Sequence, residues 1–248
     1  MIKSRNDFEC APIILWLNGG PGVSSLYGLL NQWGPQVFKI GQKGLQPNPA
    51  DLSEFTTVIY LDQPLGAGFS EDPNPLGTIK SSAQAAEDVV AFIKRFRQTQ
   101  FDGKILAQDL HIAGESYAGH WIPPIMAQIL EKPRDEQDFL NVQSLIIGNP
   151  WMDAAVQQKA SFDLVCDPQL DSAEEWMLSD DECNKAAKVW VGCKERILTC
   201  GAPPGCNAVA DCFQISSDKY WKVGLSQTQS FVFRAPIRLL MSIVRELI

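Results

Sequence analysis

Residues 110–119, LHIAGESYAG, constrain the chain more than any other stretch. A short apolar run that reads as a strand ends on glycine and passes, without a linker, into a segment that reads as a helix. So sharp a turn needs small neighbours, because a larger side chain on either side would collide with adjacent backbone. Gly114, Ser116 and Ala118 take the spacing G-x-S-x-A, with Ala118 standing where a second glycine is usual and Gly119 following. Ser116 would then sit strained and exposed at a helix N-terminus, where the dipole and unsatisfied N–H groups favour negative charge. That is a place for a nucleophile and its oxyanion. An ordinary serine capping a helix also fits the bare motif; the strand before it and the helix after it favour the nucleophile.

The rest of the chain suits that junction. Residues 11–17 (APIILWL) and 56–62 (TTVIYLD) are short apolar runs rich in β-branched residues, each followed by glycine and proline, as buried parallel strands are. Residues 110–113 and 144–147 repeat the pattern and run into Gly114 and Gly148. Between them, residues 79–97 place Ala86, Val89, Val90, Ile93 and Phe96 at three- and four-residue spacing, with Glu87, Asp88, Lys94 and Arg95 on other faces, which predicts an amphipathic crossover helix. Strands alternating with helices imply an α/β fold, a mostly parallel sheet with helices on both faces. After Trp151 the strand signals vanish and cysteines accumulate, and residues 160–194 read as short polar helices tied by bridges. The expected organisation is a core over 1–151, a disulfide-rich helical cap inserted over 152–222 at the sheet's top edge, and a tail over 223–248 with no clear partner.

Charge and cysteine usage narrow the setting. A net charge of −8 would repel a polyanion, so nucleic acid is not an expected partner. The apolar stretches 12–17 and 237–248 are too short, or too interrupted by Arg238, Arg245 and Glu246, to span a bilayer. Residues 1–9 are charged and lack the apolar core of a secretory signal. Yet six of the seven cysteines, Cys166, Cys183, Cys193, Cys200, Cys206 and Cys212, cluster as a disulfide framework would. A zinc site would need tight cysteine pairs or a histidine partner, and the only histidines are His111 and His120, so no metal is expected. An oxidising framework without a leader leads to the expectation that Met1 is not the natural start of an exported protein. Cys10 is left over and reads as a small buried hydrophobe. No N-x-[ST] sequon occurs.

A second loop bears on the chemistry. Residues 16–25 (WLNGGPGVSS) leave the first strong strand through Gly19, Gly20, Pro21 and Gly22, a turn whose exposed amides can point at a ligand. No lysine follows the glycines, which excludes a phosphate loop, and no cofactor is expected. Paired with an elbow serine, the loop is a natural source of an oxyanion-hole N–H.

Together WLNGGPGVSS, YLDQPLGAGFS over residues 60–70 and HIAGESYAGHWIP over residues 111–123 resemble the serine carboxypeptidases, a branch of the α/β-hydrolases that removes C-terminal residues from peptides. The resemblance covers about residues 4–222 and fades in the tail. It implies Ser116 as nucleophile, the N–H groups of Gly20 and Tyr117 as oxyanion hole, and Asn18 and Glu115, with the Gly19 amide and Trp16 alongside, as binders of the substrate's terminal carboxylate. Its substrate is the C-terminus of a peptide or protein, and its setting the secretory pathway, whether vacuolar, lysosomal or extracellular. A carboxyl group that recognises a carboxylate must be protonated to donate, so Glu115 is expected to titrate high and activity to be acidic. The resemblance also implies bridges Cys166–Cys183 and Cys193–Cys212, the latter enclosing Cys200–Cys206; sequence alone leaves the pairing open.

Several positions depart from the pattern. Gln32 stands where the family often has a second acidic residue; its amide still donates but does not titrate. Val23 replaces a frequent cysteine, and Asn149 precedes Pro150 where glycine is favoured. The triad of this fold runs Ser, Asp, His along the chain. After Ser116 the only histidine is His120, on the same helix and unable to fold back over the elbow, and His111 precedes Ser116 on the strand. Both are expected to serve packing or hydrogen bonding. The later aspartates Asp163, Asp211 and Asp218 fall in the cap region. The expectation is a chain truncated at both ends, without the strands that carry the triad Asp and His, and with negligible peptidase activity by itself. An acyltransferase of the same family and a non-catalytic peptide-binding module are the alternatives; carboxylate recognition by Asn18 and Glu115 favours the peptidase.

Overall fold

The computed structural model describes residues 1–74, 77–99, 108–167 and 178–199. The chain divides into two compact units, Met1–Met152 and Asp153–Ile248. In the first, β1 (Ile13–Leu17) leads through a single helical turn, α1 (Leu26–Gly28), and a π-helical turn, Leu29–Trp33, into a small antiparallel hairpin of β2 (Gln36–Phe38) and β3 (Leu45–Pro47). A 3-10 turn, Leu52–Glu54, then precedes β4 (Thr57–Tyr60), helix α2 (Ser82–Thr99), β5 (Leu110–Glu115), α3 (Ala118–Leu130), α4 (Arg134–Leu140) and β6 (Val142–Gly148).

The main sheet has the order β4-β1-β5-β6, and every neighbouring pair in it is parallel. Each of the four apolar runs is therefore a strand, β1 and β4 shorter, and β5 and β6 longer, than their runs. The parallel pairing explains the near-continuous hydrophobicity of β1, β4 and β5, since both faces are covered there, whereas β6 at the end of the order keeps Gln143 and Leu145 exposed. One face carries Ile13, Leu15, Leu17, Ile59, Leu110 and Ile112 against Ala85, Ala86, Val89, Val90 and Ile93 of α2, Ala118, Trp121, Ile122, Ile125 and Ile129 of α3, and Leu140 of α4. The other carries Ile14, Trp16, Val58 and Ala113 against Leu52 of the 3-10 turn, with Trp33 of the π-helical turn packed beside them. Period-two alternation within β1 thus divides its side chains between two cores. Leu15 is fully buried, and truncating it to alanine would cost about 2–5 kcal/mol.

Helix α2 shows the apolar face expected of it, with one addition. Arg97 is 1% exposed and its Nη2 donates to the carbonyl of Gln108 at 2.9 Å. Burial pushes its guanidinium down to about 10, with Asp109 opposing. The hairpin β2–β3 was not anticipated, because three-residue strands with exposed ends carry almost no periodicity.

The second unit begins with α5 (Ala154–Cys166), whose N-cap Asp153 accepts from Val156 N. It continues with α6 (Asp180–Thr199), twenty residues long rather than short. Ser179 and Glu182 form a reciprocal capping box at its start, with Ser179 N donating to Glu182 and Glu182 N to Ser179 Oγ. Cys166 and Cys183 are bridged, with Cα atoms 5.6 Å apart. Cys193 belongs to α6, and the bridges expected of it and of Cys200, Cys206 and Cys212 lie outside the described residues, as does the tail. Cys10 corrects its expectation: it is exposed and unbridged, on an N-terminal loop where Asp7 raises its thiol's titration, and not a core residue. Among the described residues no helix is long and apolar enough to cross a membrane.

Candidate active site

Strand β5 runs directly into α3 through Ser116, whose φ of 59° places it in the left-handed region that a non-glycine residue rarely occupies. Ser116 is exposed, while Gly114 and Ala118 on either side are buried. A Cβ on Gly114 would collide with the Leu17 carbonyl and with Ala118 Cβ, so the small residues of the motif are required by contact. Gly119 is pressed against the Trp151 carbonyl in the same way.

The strained residue is clamped from β6. Ser116 N donates to the Gly148 carbonyl at 3.0 Å, and the Ser116 carbonyl accepts from Trp151 N at 2.8 Å and Gly119 N at 3.1 Å. Between them Asn149 takes φ 43°, a left-handed conformation that asparagine tolerates better than most residues, which is how the chain manages without glycine there.

The glycine loop abuts the elbow. A Cβ on Gly19 would lie 2.5 Å from Tyr117 N and 2.8 Å from both the Glu115 carbonyl and Ser116 Cβ. Gly20 and Gly22, with φ of 114° and 89°, turn the loop outward, and Gly20 is exposed. Neither the Gly20 nor the Tyr117 amide donates to an acceptor among the described residues. Asp62, from the YLDQPLGAGFS run, holds this loop: Oδ1 accepts from Ser24 Oγ at 2.6 Å and Ser25 N at 2.8 Å, and Oδ2 from Phe69 N at 2.9 Å. Ser25 Oγ in turn accepts from Asn18 N at 3.0 Å and donates to the Leu61 carbonyl at 2.6 Å.

Beside the elbow lies a polar cluster. Asn18 is buried, and its Oδ1 accepts from Trp16 Nε1 at 2.8 Å and Gly28 N at 3.1 Å, which fixes its amide so that Nδ2 faces Glu115 Oε1 at 2.9 Å. Gln32 Nε2 reaches both Glu115 oxygens, at 2.9 and 2.8 Å. Trp16 is itself packed edge-on against Trp33 at 5.7 Å. Burial raises the Glu115 carboxyl above its ordinary range, and the amides of Gln32 and Asn18 oppose the rise by favouring the charged form. The cluster can therefore present a carboxyl and two amides at one point.

The two histidines are occupied elsewhere. His111 Nδ1 pairs with Ser144 Oγ at 2.7 Å on the sheet, and the His120 ring lies 4.7 Å from that of Tyr117. Burial lowers the titration of both. Asp163 pairs with Lys159 within α5, and Asp211 and Asp218 lie outside the described residues. Of the site residues named from sequence, Trp16, Asn18, Gly19, Glu115, Ser116 and Tyr117 are joined by these contacts, and Gly20 follows directly on the loop. Sequence reasoning missed the clamp from Gly148 and Trp151 and the tether from Asp62, because backbone acceptors and donors carry no residue signature.

The family model described as serine carboxypeptidase matches residues 1–232. Carboxypeptidase Y of Schizosaccharomyces pombe is 34% identical over 240 residues, covering 90% of this chain and 23% of that protein. Carboxypeptidase Y of Candida albicans is 38% identical over 200 residues, covering 80% and 34%. The vacuolar serine-type carboxypeptidase ATG42 of Saccharomyces cerevisiae is 36% identical over 228 residues, covering 90% and 43%. This chain thus spans less than half the length of each of these relatives. In fold, the crystal structure of Kex1(Δ)p, a prohormone-processing carboxypeptidase from Saccharomyces cerevisiae, superimposes with a TM-score of 0.65 at 23% identity, over 86% of this chain and 46% of that one. With its α/β-hydrolase sheet and a family match over nearly its whole length, the chain belongs to the serine carboxypeptidases.

Proposed function

We propose that this chain carries the nucleophile and the carboxylate-binding site of an enzyme that releases C-terminal residues from peptides through an acyl-enzyme on Ser116. The observation that supports this most is the joint placement of an exposed, left-handed Ser116, an abutting loop with undonated amides at Gly20, and the Asn18–Glu115 pair one residue upstream. In this reading the Gly20 and Tyr117 amides receive the oxyanion. The terminal carboxylate is met by Asn18, the Gly19 amide and the acid form of Glu115, beside Trp16, which favours a peptidase over an acyltransferase or a module that only binds. Residues 152–222 serve as the cap insertion, and the protein works in an acidic compartment of the secretory pathway, as the name of its vacuolar relative suggests.

The general base is the role left unassigned in this reading. His111 is bonded to Ser144 and His120 is stacked on Tyr117, and neither ring is hydrogen-bonded to the Ser116 hydroxyl among the described residues. We therefore expect the 248-residue chain to bind an N-blocked dipeptide in preference to its C-terminal amide, with negligible turnover at acidic pH. Preferential binding that disappears in Asn18→Leu supports the reading. Equal affinity for acid and amide refutes it, and hydrolysis that Ser116→Ala abolishes would refute the expectation of low turnover.

A further inference from the structure

The donors around Glu115 carry an inference that rests on the carboxylate-binding reading and goes a step beyond it. One nitrogen, Gln32 Nε2, serves both oxygens of Glu115, and Asn18 Nδ2 adds a third donated bond. Neither amide is loose. Asn18 is locked by Trp16 and Gly28, and the Gln32 backbone carbonyl accepts from Asn48 Nδ2 at 2.7 Å, which also donates to the Gly34 carbonyl at 2.8 Å. Gln32 Oε1 is buried and accepts from no group among the described residues. The groups packed on Glu115 from other elements are amides and backbone: Asn18 from the exit of β1, Gln32 from the π-helical turn and Gly148 from the end of β6. At the start of α3 the adjoining titratable groups are Tyr117, just before the helix, and His120, stacked on one another, and no charged neighbour among the described residues contributes to the balance at Glu115.

We infer that Gln32 makes capture of a ligand carboxylate at this site a one-proton event. Glu115 needs only its own proton, taken from solvent; its O–H then turns toward the ligand while the Gln32 amide steadies the remaining carbonyl oxygen. A carboxyl at position 32 would behave otherwise. Two acids about 3 Å apart share their first proton, which is spent between them and leaves the pair anionic, so a second must bind before an anionic ligand is accepted. An amide donates at every pH and adds no charge. Burial of Glu115, which favours its acid form, extends capture toward milder acidity.

The test is calorimetric binding of N-benzyloxycarbonyl-Phe-Leu, and of its C-terminal amide, to the full chain and to Gln32→Glu and Gln32→Leu. The range is about pH 4 to about pH 7, where the ligand carboxylate stays ionised. On the alkaline side of the transition, affinity of the parent chain for the free acid should fall about tenfold per pH unit, and that of Gln32→Glu up to about a hundredfold, in the ratio of one proton to two. Gln32→Leu should keep the one-proton slope with its midpoint moved to higher pH, because the two bonds that Gln32 Nε2 donates to the charged form are gone. His111 and His120 are common to all three proteins and cancel in the comparison. Equal slopes for the parent and Gln32→Glu, or an unmoved midpoint in Gln32→Leu, with the free acid still preferred, overturn the role of Gln32 and leave the carboxylate reading standing. Absence of any preference for the free acid in the parent overturns both. Should Gln32→Glu fail to fold by circular dichroism, Gln32→Leu decides alone.

Discussion

Gly19→Ala puts the contact between the two loops to a direct test. The added methyl would stand 2.5 Å from Tyr117 N and 2.8 Å from the Glu115 carbonyl and from Ser116 Cβ. Relaxed carbon contacts lie near 3.5–4.0 Å, so it must retreat by about 1 Å from three atoms at once. Two of these are backbone and the third is the first carbon of a strained residue, so no flexible side chain can yield. Overpacking of this kind costs about 1–3 kcal/mol, and the rigidity of the neighbours places it near the upper end, about 3 kcal/mol. For a unit of this size each kcal/mol moves the midpoint by about 2–4 °C, giving a fall in Tm of about 6–12 °C. Thermal unfolding by circular dichroism reads this, with Gly22→Ala as control. Nothing lies within 4 Å of a Cβ there, and only the strain of φ 89° is felt, about 1 kcal/mol. Dipeptide affinity should fall alongside in Gly19→Ala, because the amide at 19 moves with the loop. If Gly19→Ala melts within about 2 °C of the parent and binds as well, the loops do not meet as described.

Three further outcomes follow from particular residues. Burial raises the Glu115 carboxyl, so the folded chain holds that proton more tightly than the unfolded one; the stabilisation is full below about pH 4 and is lost as pH rises through the folded value. Glu115→Gln should flatten the profile in that window and gain relative stability toward neutrality, and a constant difference between the two proteins across the window would contradict this. Removing the Cys166–Cys183 bridge by Cys166→Ser with Cys183→Ser releases a loop with a separation of 17 residues and should cost about 3 kcal/mol in the second unit, read by denaturant unfolding with and without reductant. Gly192 lies inside α6 with open space where a Cβ would be, so Gly192→Ala should stabilise that unit by about 1 kcal/mol in the same assay.

What could be read before any coordinates was what depends on side-chain type. Strands β1, β4 and β5 announced themselves by apolar runs because they are buried on both faces, β6 by the apolar Leu145, Ile146 and Ile147 before Gly148, and α2 by the spacing of Val89, Val90 and Ile93. The elbow was legible because its turn admits only small residues at Gly114 and Ala118. Hidden features were those made by the main chain or by distant pairing. The clamp on Ser116 uses the carbonyl of Gly148 and the amide of Trp151, which any residue possesses. The identity of Gln32 was plain, but its grip on both oxygens of Glu115 depends on a π-helical turn that periodicity does not mark. Cys10 was misjudged because a lone thiol is apolar enough for a core, yet it lies on an exposed turn capped by Asp7.

The clamp has a bearing on biosynthesis. During translation β5 and the start of α3 leave the ribosome well before β6, and until Trp151 emerges the serine's main chain lacks two of its three tethers. A nascent chain arrested within α4 would lack the Gly148 and Trp151 bonds, so the left-handed conformation of Ser116 gains its full set of tethers only after β6 has paired with β5.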